Sequence, residues 1–248
     1  SSSSSSSRWI SRQQGDKFAR SAKLAGLKSR AAYKLLDINS KYHIFKPGQT
    51  VVDLGYAPGS WSQVSVNRTA PGGRVIGIDV IPAQPPRGVS TLQGDFTSPD
   101  IREEVRRFLR RPDAQEDGGG TQETEEVNVV LSDMCEPWPL VQGAWLKSIS
   151  NPYRRMMNTT GSRVRDHALS MRLCLAALEF VYTSLAPGGH FVCKFYQGAE
   201  DGQLEKRLKN LFEKVHRVKP DSSRKESKEA YFVAIKRKKG VDREQVLD

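Results

Sequence analysis

The stretch Val51-Val52-Asp53-Leu54-Gly55-Tyr56-Ala57-Pro58-Gly59-Ser60-Trp61 decides the fold. Its first half is a short run rich in apolar, β-branched residues and reads as a buried strand. Its second half is a turn punctuated by glycine, and residues 60–68 continue as a helix. A strand that turns through glycines directly into a helix opens an α/β sheet, and ligands of such sheets sit at the carboxyl ends of the strands. Gly55 permits the tight turn, and Gly59 lets backbone approach a ligand closely. The spacing Gly55-x-x-x-Gly59, with Pro58 inside it, departs from the G-x-G-x-x-G of a dinucleotide site. It suits an adenosyl ligand without a phosphate better. An NAD-type site is the distant alternative, and a purely structural turn is the bland one.

The neighbouring segments extend this reading. Arg74–Asp79 and Val89–Gln93 read as the second and third strands, which brings Asp79 and Asp95 to the same edge as Gly59. A carboxylate at Asp79 can accept two ribose hydroxyls, and Asp95 can accept from an adenine amino group. Residues 29–41 read as a helix capped by Ser29, with Ala32, Leu35, Leu36 and Asn39 on one face and Lys46-Pro47-Gly48 beyond its end. Residues 100–111 form an amphipathic pattern, and Val127–Leu131 is a further strand. The spacing predicts a long helix over 163–185, closed by Pro187-Gly188-Gly189, then a strand over His190–Phe195 and a helix over 202–213. Val215–Val218 and Ala230–Ile235 are the last strands. The fold expected is α/β: a seven-stranded, mostly parallel sheet with helices on both faces.

One domain over residues 16–240 accounts for these elements, with an acidic flexible insert at 112–126, a lid-like insert at 138–160 and a tail at 241–248. Residues 1–15 begin with seven serines and carry arginine but no acid, like the end of an organellar transit peptide.

The 248 residues hold 39 lysines and arginines against 28 acids, a net charge of +11. The charge is concentrated. Residues 1–50 carry ten bases and two acids, 138–165 five bases and no acid, and 204–239 thirteen bases and five acids. Three basic runs on one chain favour a polyanionic partner such as RNA. Trp138, Trp145 and Tyr153 lie near Arg154 and Arg155, a pattern that fits base stacking and a hydrophobic clasp equally. No apolar run approaches the ~20 residues that span a bilayer. Cys135, Cys174 and Cys193 are odd in number and widely spaced, which excludes a disulfide framework and a paired-cysteine zinc site and points to a reducing compartment. Cys193 reads as core. His43, His167, His190 and His216 show no ligand spacing, so no metal is expected.

Beyond the glycine turn, the chain strongly resembles the FtsJ/RrmJ family of S-adenosylmethionine-dependent RNA 2′-O-ribose methyltransferases. The likeness runs from about Asp16 to Ile235. It is carried by Gly26-Leu27-Lys28-Ser29-Arg30-Ala31-Ala32-Tyr33-Lys34-Leu35, by Val51–Trp61, by Leu92–Phe96 and by Ser132-Asp133-Met134. Further on it includes Leu185–Gly189, Lys194–Gly198, Lys219-Pro220-Asp221-Ser222-Ser223-Arg224 and Ser227-Lys228-Glu229-Ala230-Tyr231. The resemblance implies a Rossmann-like class I methyltransferase fold and a catalytic set at Lys34, Asp133, Lys194 and Glu229. It implies a methyl-donor site at Gly55, Pro58, Gly59, Trp61, Asp79, Asp95 and Asp133. Ser-Asp-Met and Pro-Asp-Ser-Ser-Arg look like the ribosomal-RNA branch. With the leader, they imply a mitochondrial matrix enzyme of fungal type, monomeric, acting on large-subunit rRNA in a ribosomal precursor. The substrate so implied is a uridine in the loop that contacts aminoacyl-tRNA, with a role in subunit assembly and contacts to ribosomal proteins or assembly factors.

A ribose 2′-hydroxyl is a poor nucleophile, so its methylation needs a base and in-line alignment. Lys194 lies in the apolar run Phe191–Phe195, where desolvation lowers a lysine pKa, and Lys34 as a second cation would lower it further. Asp133 would orient Lys194 but raise its pKa, so the net sign is open. Glu229 could orient Lys34 or the ribose. Two departures from the family stand beside these residues. Tyr56 replaces a small residue and could crowd the donor pocket or turn away. Cys135-Glu136-Pro137-Trp138 replaces Ala-Pro-Asn and a following residue. These departures motivate an alternative, a ribosome-assembly factor that binds rRNA and whose essential role needs no catalysis.

Overall fold

The structure is a computed structural model in which residues 16–109, 126–135, 162–224 and 227–248 are described. The serine-rich leader, most of the 112–126 segment and all of 138–160, with Trp138, Trp145, Tyr153, Arg154 and Arg155, lie outside the described residues.

The described chain runs α1 (Lys17–Leu24), α2 (Ala31–Tyr42), β1 (Thr50–Leu54), α3 (Ser60–Thr69), β2 (Arg74–Asp79), β3 (Val89–Gln93), α4 (Pro99–Phe108) and β4 (Val127–Ser132). It continues with α5 (Arg163–Ser184), β5 (Leu185–Tyr196), α6 (Asp201–Leu211), β6 (Phe212–Val218), β7 (Glu229–Arg237) and α7 (Glu244–Leu247). Seven strands form one sheet in the order β3-β2-β1-β4-β5-β7-β6. Pairings from β3 through β5 are parallel, while β7 lies antiparallel between β5 and β6. The expected seven-stranded, mostly parallel sheet is the one observed.

Every residue of β1 is buried because both faces of the sheet are covered. On one face Phe180, Val181, Leu204 and Leu208 of α5 and α6 pack with Val52, Leu54 and Phe191; Val246 of α7 joins this layer. On the other, Ala32, Leu35 and Ile38 of α2 and Trp61 and Val64 of α3 pack with Val51, Val75 and Tyr231. Each large side chain so buried contributes about 1.5–3 kcal/mol.

Two local expectations are corrected. The buried stripe of α2 is Ala32, Leu35 and Ile38; Leu36 is only partly buried, and the Asn39 side chain accepts the Phe45 N–H at 3.3 Å. The segment Pro187-Gly188-Gly189 does not separate helix from strand. Leu185 already pairs with Val127, and an irregularity in the β4–β5 register absorbs the turn, with Gly188 at φ 80°. Sheet pairing outweighed the turn signal.

The strand order reverses beside β1, between β2 and β4. The loops after β1 and β4 therefore leave the sheet at its switch point, where α/β sheets form their ligand crevice. The two loops touch closely: a Cβ on Gly55 would stand 2.7 Å from Met134 Cα. Gly55 at φ 75° is there because no side chain fits.

Candidate active site

The residues singled out in the sequence gather at this edge. Lys194, near the end of β5, is 5% exposed. Its Nζ lies 3.2 Å from Asp133 Oδ1, donates to the Asp133 carbonyl at 2.8 Å and also reaches Cys135 Sγ. Across the antiparallel register Lys194 faces Tyr231, and Tyr196 faces Glu229. Tyr231 is fully buried and donates its hydroxyl to Asp133 Oδ1 at 3.1 Å. Glu229 accepts from Lys34 Nζ at 2.5 Å and from Ser223 Oγ at 3.1 Å. Lys34 also stands over the Tyr231 ring at 5.9 Å. The structure thus brings Lys34, Asp133, Lys194 and Glu229 into one buried network built from α2, the end of β4, β5 and β7.

Secondary contacts explain why the flanking motifs surround this network. Asp16 caps α1, accepting from Phe18 N at 3.0 Å, and pairs with Arg30 and with Arg224. Arg30 also donates to the Ser222 carbonyl, while Ser222 Oγ donates to Asp37 Oδ2 at 2.8 Å. The Pro220–Arg224 segment is thereby fastened to α2, the helix that carries Lys34.

The network also signs the pKa of Lys194. Burial alone would lower it, but Asp133, Cys135, Tyr196 and Glu229 together hold it well above the usual lysine range. Lys34 is matched by Glu229 and does not stand as a bare cation. Burial likewise raises the Glu229 carboxyl, yet Lys34, Lys194 and the Lys34 and Ser223 hydrogen bonds outweigh it and leave it lowered. The resting site therefore holds Lys194 as an ammonium and Glu229 as a carboxylate.

The donor-side residues lie at the β1–β2–β3 end. Asp79 accepts from Ala57 N at 3.0 Å and from Ile81 N at 2.9 Å, tying the glycine turn to the end of β2. Burial raises its pKa, partly countered by those backbone bonds. Asp95 is exposed and its Oδ1 accepts from Thr97 N and Oγ1. Gly59 has φ 109°, and a Cβ there would meet Pro86 at 2.6 Å. Trp61 is buried, donates its indole N–H to the Ala31 carbonyl at 2.8 Å and packs 5.6 Å from the Tyr231 ring. It joins the donor turn to the helix of Lys34. The Tyr56 hydroxyl donates to the Ala83 carbonyl at 2.8 Å, and its ring occupies the space a Cβ on Gly77 would need.

Asp53 escaped sequence reasoning. It is fully buried in β1, takes a 2.6 Å bond from Ser62 Oγ on Oδ2, and leaves Oδ1 without a partner among the described residues. Burial is the main cause that pushes its pKa up to about 7, with Asp133 and Asp79 adding to it. A carboxylate in an otherwise apolar strand, two residues before the turn, was the available signal. Tyr231 was also missed as a member of the network; its place two residues after Glu229 puts both on one face of β7.

The donor set fits an adenosyl ligand with a cationic end. Asp79, Asp95 and Asp133 stand at or just past the ends of β2, β3 and β4, beside the glycine turn that leaves β1, and the buried Asp53 Oδ1 is without a partner among the described residues.

Comparison with known proteins agrees with this geometry. The FtsJ-like methyltransferase model matches residues 27–237. The chain belongs to the FtsJ-like methyltransferase family. It is 36% identical to "rRNA methyltransferase 2, mitochondrial" of Saccharomyces cerevisiae over an alignment of 293 positions, covering 99% of this chain and 92% of that protein. The protein of the same name in Schizosaccharomyces pombe is 39% identical, over 93% of this chain and 95% of its own length. Ribosomal RNA large subunit methyltransferase E of Bartonella bacilliformis is 39% identical, over 96% and 86%. A crystallised Plasmodium falciparum protein, described as a ribosomal RNA methyltransferase, superposes with a TM-score of 0.63 at 27% identity, covering 85% of this chain and 98% of that one. The FtsJ-like chain is thus an enzyme, a methyltransferase of a family that uses S-adenosylmethionine, and its yeast relatives place it in the mitochondrion.

Proposed function

We propose that the protein methylates a ribose 2′-hydroxyl of mitochondrial large-subunit rRNA, at a uridine of the loop that contacts aminoacyl-tRNA, within a ribosomal precursor. The observation that carries this reading is the Lys194–Asp133 pair beside the Lys34–Glu229 pair, at the edge where the glycine turn leaves β1. The names of the relatives, mitochondrial and large-subunit rRNA methyltransferases, support the substrate.

In this reading Gly55, Pro58, Gly59, Asp79 and Asp95 hold the adenosyl part of the donor, and Asp133 faces its charged end. S-adenosylmethionine, when bound, supplies an electrophilic methyl group on a sulfonium. Asp133 abuts the donor turn, its N–H bonded to the Leu54 carbonyl at 3.1 Å. A cationic ligand beside Asp133 would weaken the hold of that carboxylate on the Lys194 proton, which would pass to solvent and leave a neutral amine. Neutral Lys194 then takes the ribose proton, and Asp133 steadies the ammonium so formed. The Lys34–Glu229 pair and Trp61 fix the wall against which the ribose is aligned. The bond of Tyr56 to the Ala83 carbonyl answers one of the two departures that motivate a binding-only assembly factor; the change at Cys135–Trp138 is the other.

The test is transfer of labelled methyl from S-adenosylmethionine to mitochondrial large-subunit particles from cells lacking this protein. Label in an alkali-resistant dinucleotide marks a 2′-O-methyl ribose and supports the reading. Label in base or protein, or none, overturns it.

A further inference from the structure

Lys194 has three N–H donors. One is donated to the Asp133 carbonyl at 2.8 Å, and Asp133 Oδ1 pairs with the ammonium at 3.2 Å. Another is directed at the Cys135 thiol. If Lys194 is the base, its nitrogen must reach the substrate oxygen, and one present partner has to leave. The carboxylate and carbonyl of Asp133 are strong acceptors, whereas a thiol is a weak one. Cys135 is also half-buried at the edge of the site, while Cys174 and Cys193 are buried in the core.

We propose that the Cys135 thiol holds the place of the substrate 2′-hydroxyl on Lys194 and is displaced when RNA binds. Cys135 is thus a positioning residue that competes with substrate for a place on Lys194 Nζ. The proposal rests on the assignment of Lys194 made above.

Two variants test it with opposite signs. Cys135→Ala removes the competitor, and its KM for large-subunit particles falls about fivefold. Cys135→Ser supplies a stronger acceptor, and its KM rises by a similar factor. Donor affinity, measured by calorimetric titration with S-adenosylmethionine, stays within about twofold in both and reports that the site is folded. A packing role would instead move both variants in the same direction. KM values that shift together, or do not shift, overturn the proposal. Lys194→Ala separates the two assignments. If that variant turns over normally, the role of Lys194 falls; if it is inactive while the Ala–Ser order is absent, only the role of Cys135 falls.

Discussion

The Lys194 ammonium and the Tyr231 hydroxyl, opposite one another on β5 and β7, converge on a single oxygen, Asp133 Oδ1, at 3.2 and 3.1 Å. The proposed base and its orienting carboxylate are therefore held from a neighbouring strand as well as from their own. Because Asp133 and its neighbours raise Lys194 above its ordinary pKa, the free enzyme has little neutral amine at pH 7. Log kcat/KM is expected to climb with pH through the alkaline range. Asp133→Asn removes the largest upward influence, so the rising limb moves to lower pH although its plateau drops. A limb that stays in place in this variant would show that Lys194 does not set it.

Glu229 and Lys34 form a buried pair, and Glu229 has a lowered pKa. An acid with a lowered folded pKa stabilises above its unfolded value and loses that contribution as pH falls through the folded one. Glu229→Gln leaves Lys34 without its carboxylate and is expected to cost about 3 kcal/mol at pH 7 by urea unfolding. The gap between the two proteins closes below about pH 4.5, the ordinary carboxyl value.

Asp53 has the opposite sign. Its folded pKa of about 7 lies above the ordinary 3.8, so the folded state binds the extra proton. Stability is present below about pH 4 and is lost as pH rises to about 7, on the order of 4 kcal/mol for a shift of this size. Asp53→Asn keeps an acceptor for Ser62 and removes the titration. Between pH 5 and pH 8 the variant is expected to gain stability relative to wild type, measured by denaturant unfolding at both values.

Tyr56 and Gly77 share one space. A Cβ on Gly77 would stand 2.7 Å from Tyr56 Cγ. Gly77→Ala is expected to destabilise by about 1–3 kcal/mol, the usual cost of overpacking. In a Tyr56→Ala background the same change should cost little, a non-additivity read directly from a double-mutant cycle in thermal or urea unfolding.

Much of this architecture was legible in the residues. β2 and β3 carry the bounds that their apolar runs mark, and Lys34, Asp133, Lys194 and Glu229 meet as the family motifs imply. What was not legible depends on tertiary approach. Pro187–Gly189 reads as a break because turn chemistry is local, while pairing of Leu185 with Val127 is not. The direction of the Lys194 shift needed the distances to Asp133 and Cys135, since burial and charge act in opposite senses. The turn of Tyr56 needed the empty space over Gly77, contributed by a different strand.

The most direct measurement is a map of 2′-O-methyl riboses in mitochondrial large-subunit rRNA, from cells whose only copy of the protein is wild type or Lys194→Ala. One modified ribose, at a uridine, is expected to be present with the wild-type protein and absent with the variant, while the variant protein remains folded and abundant. An unchanged map with Lys194→Ala would contradict the assignment of Lys194 as the base.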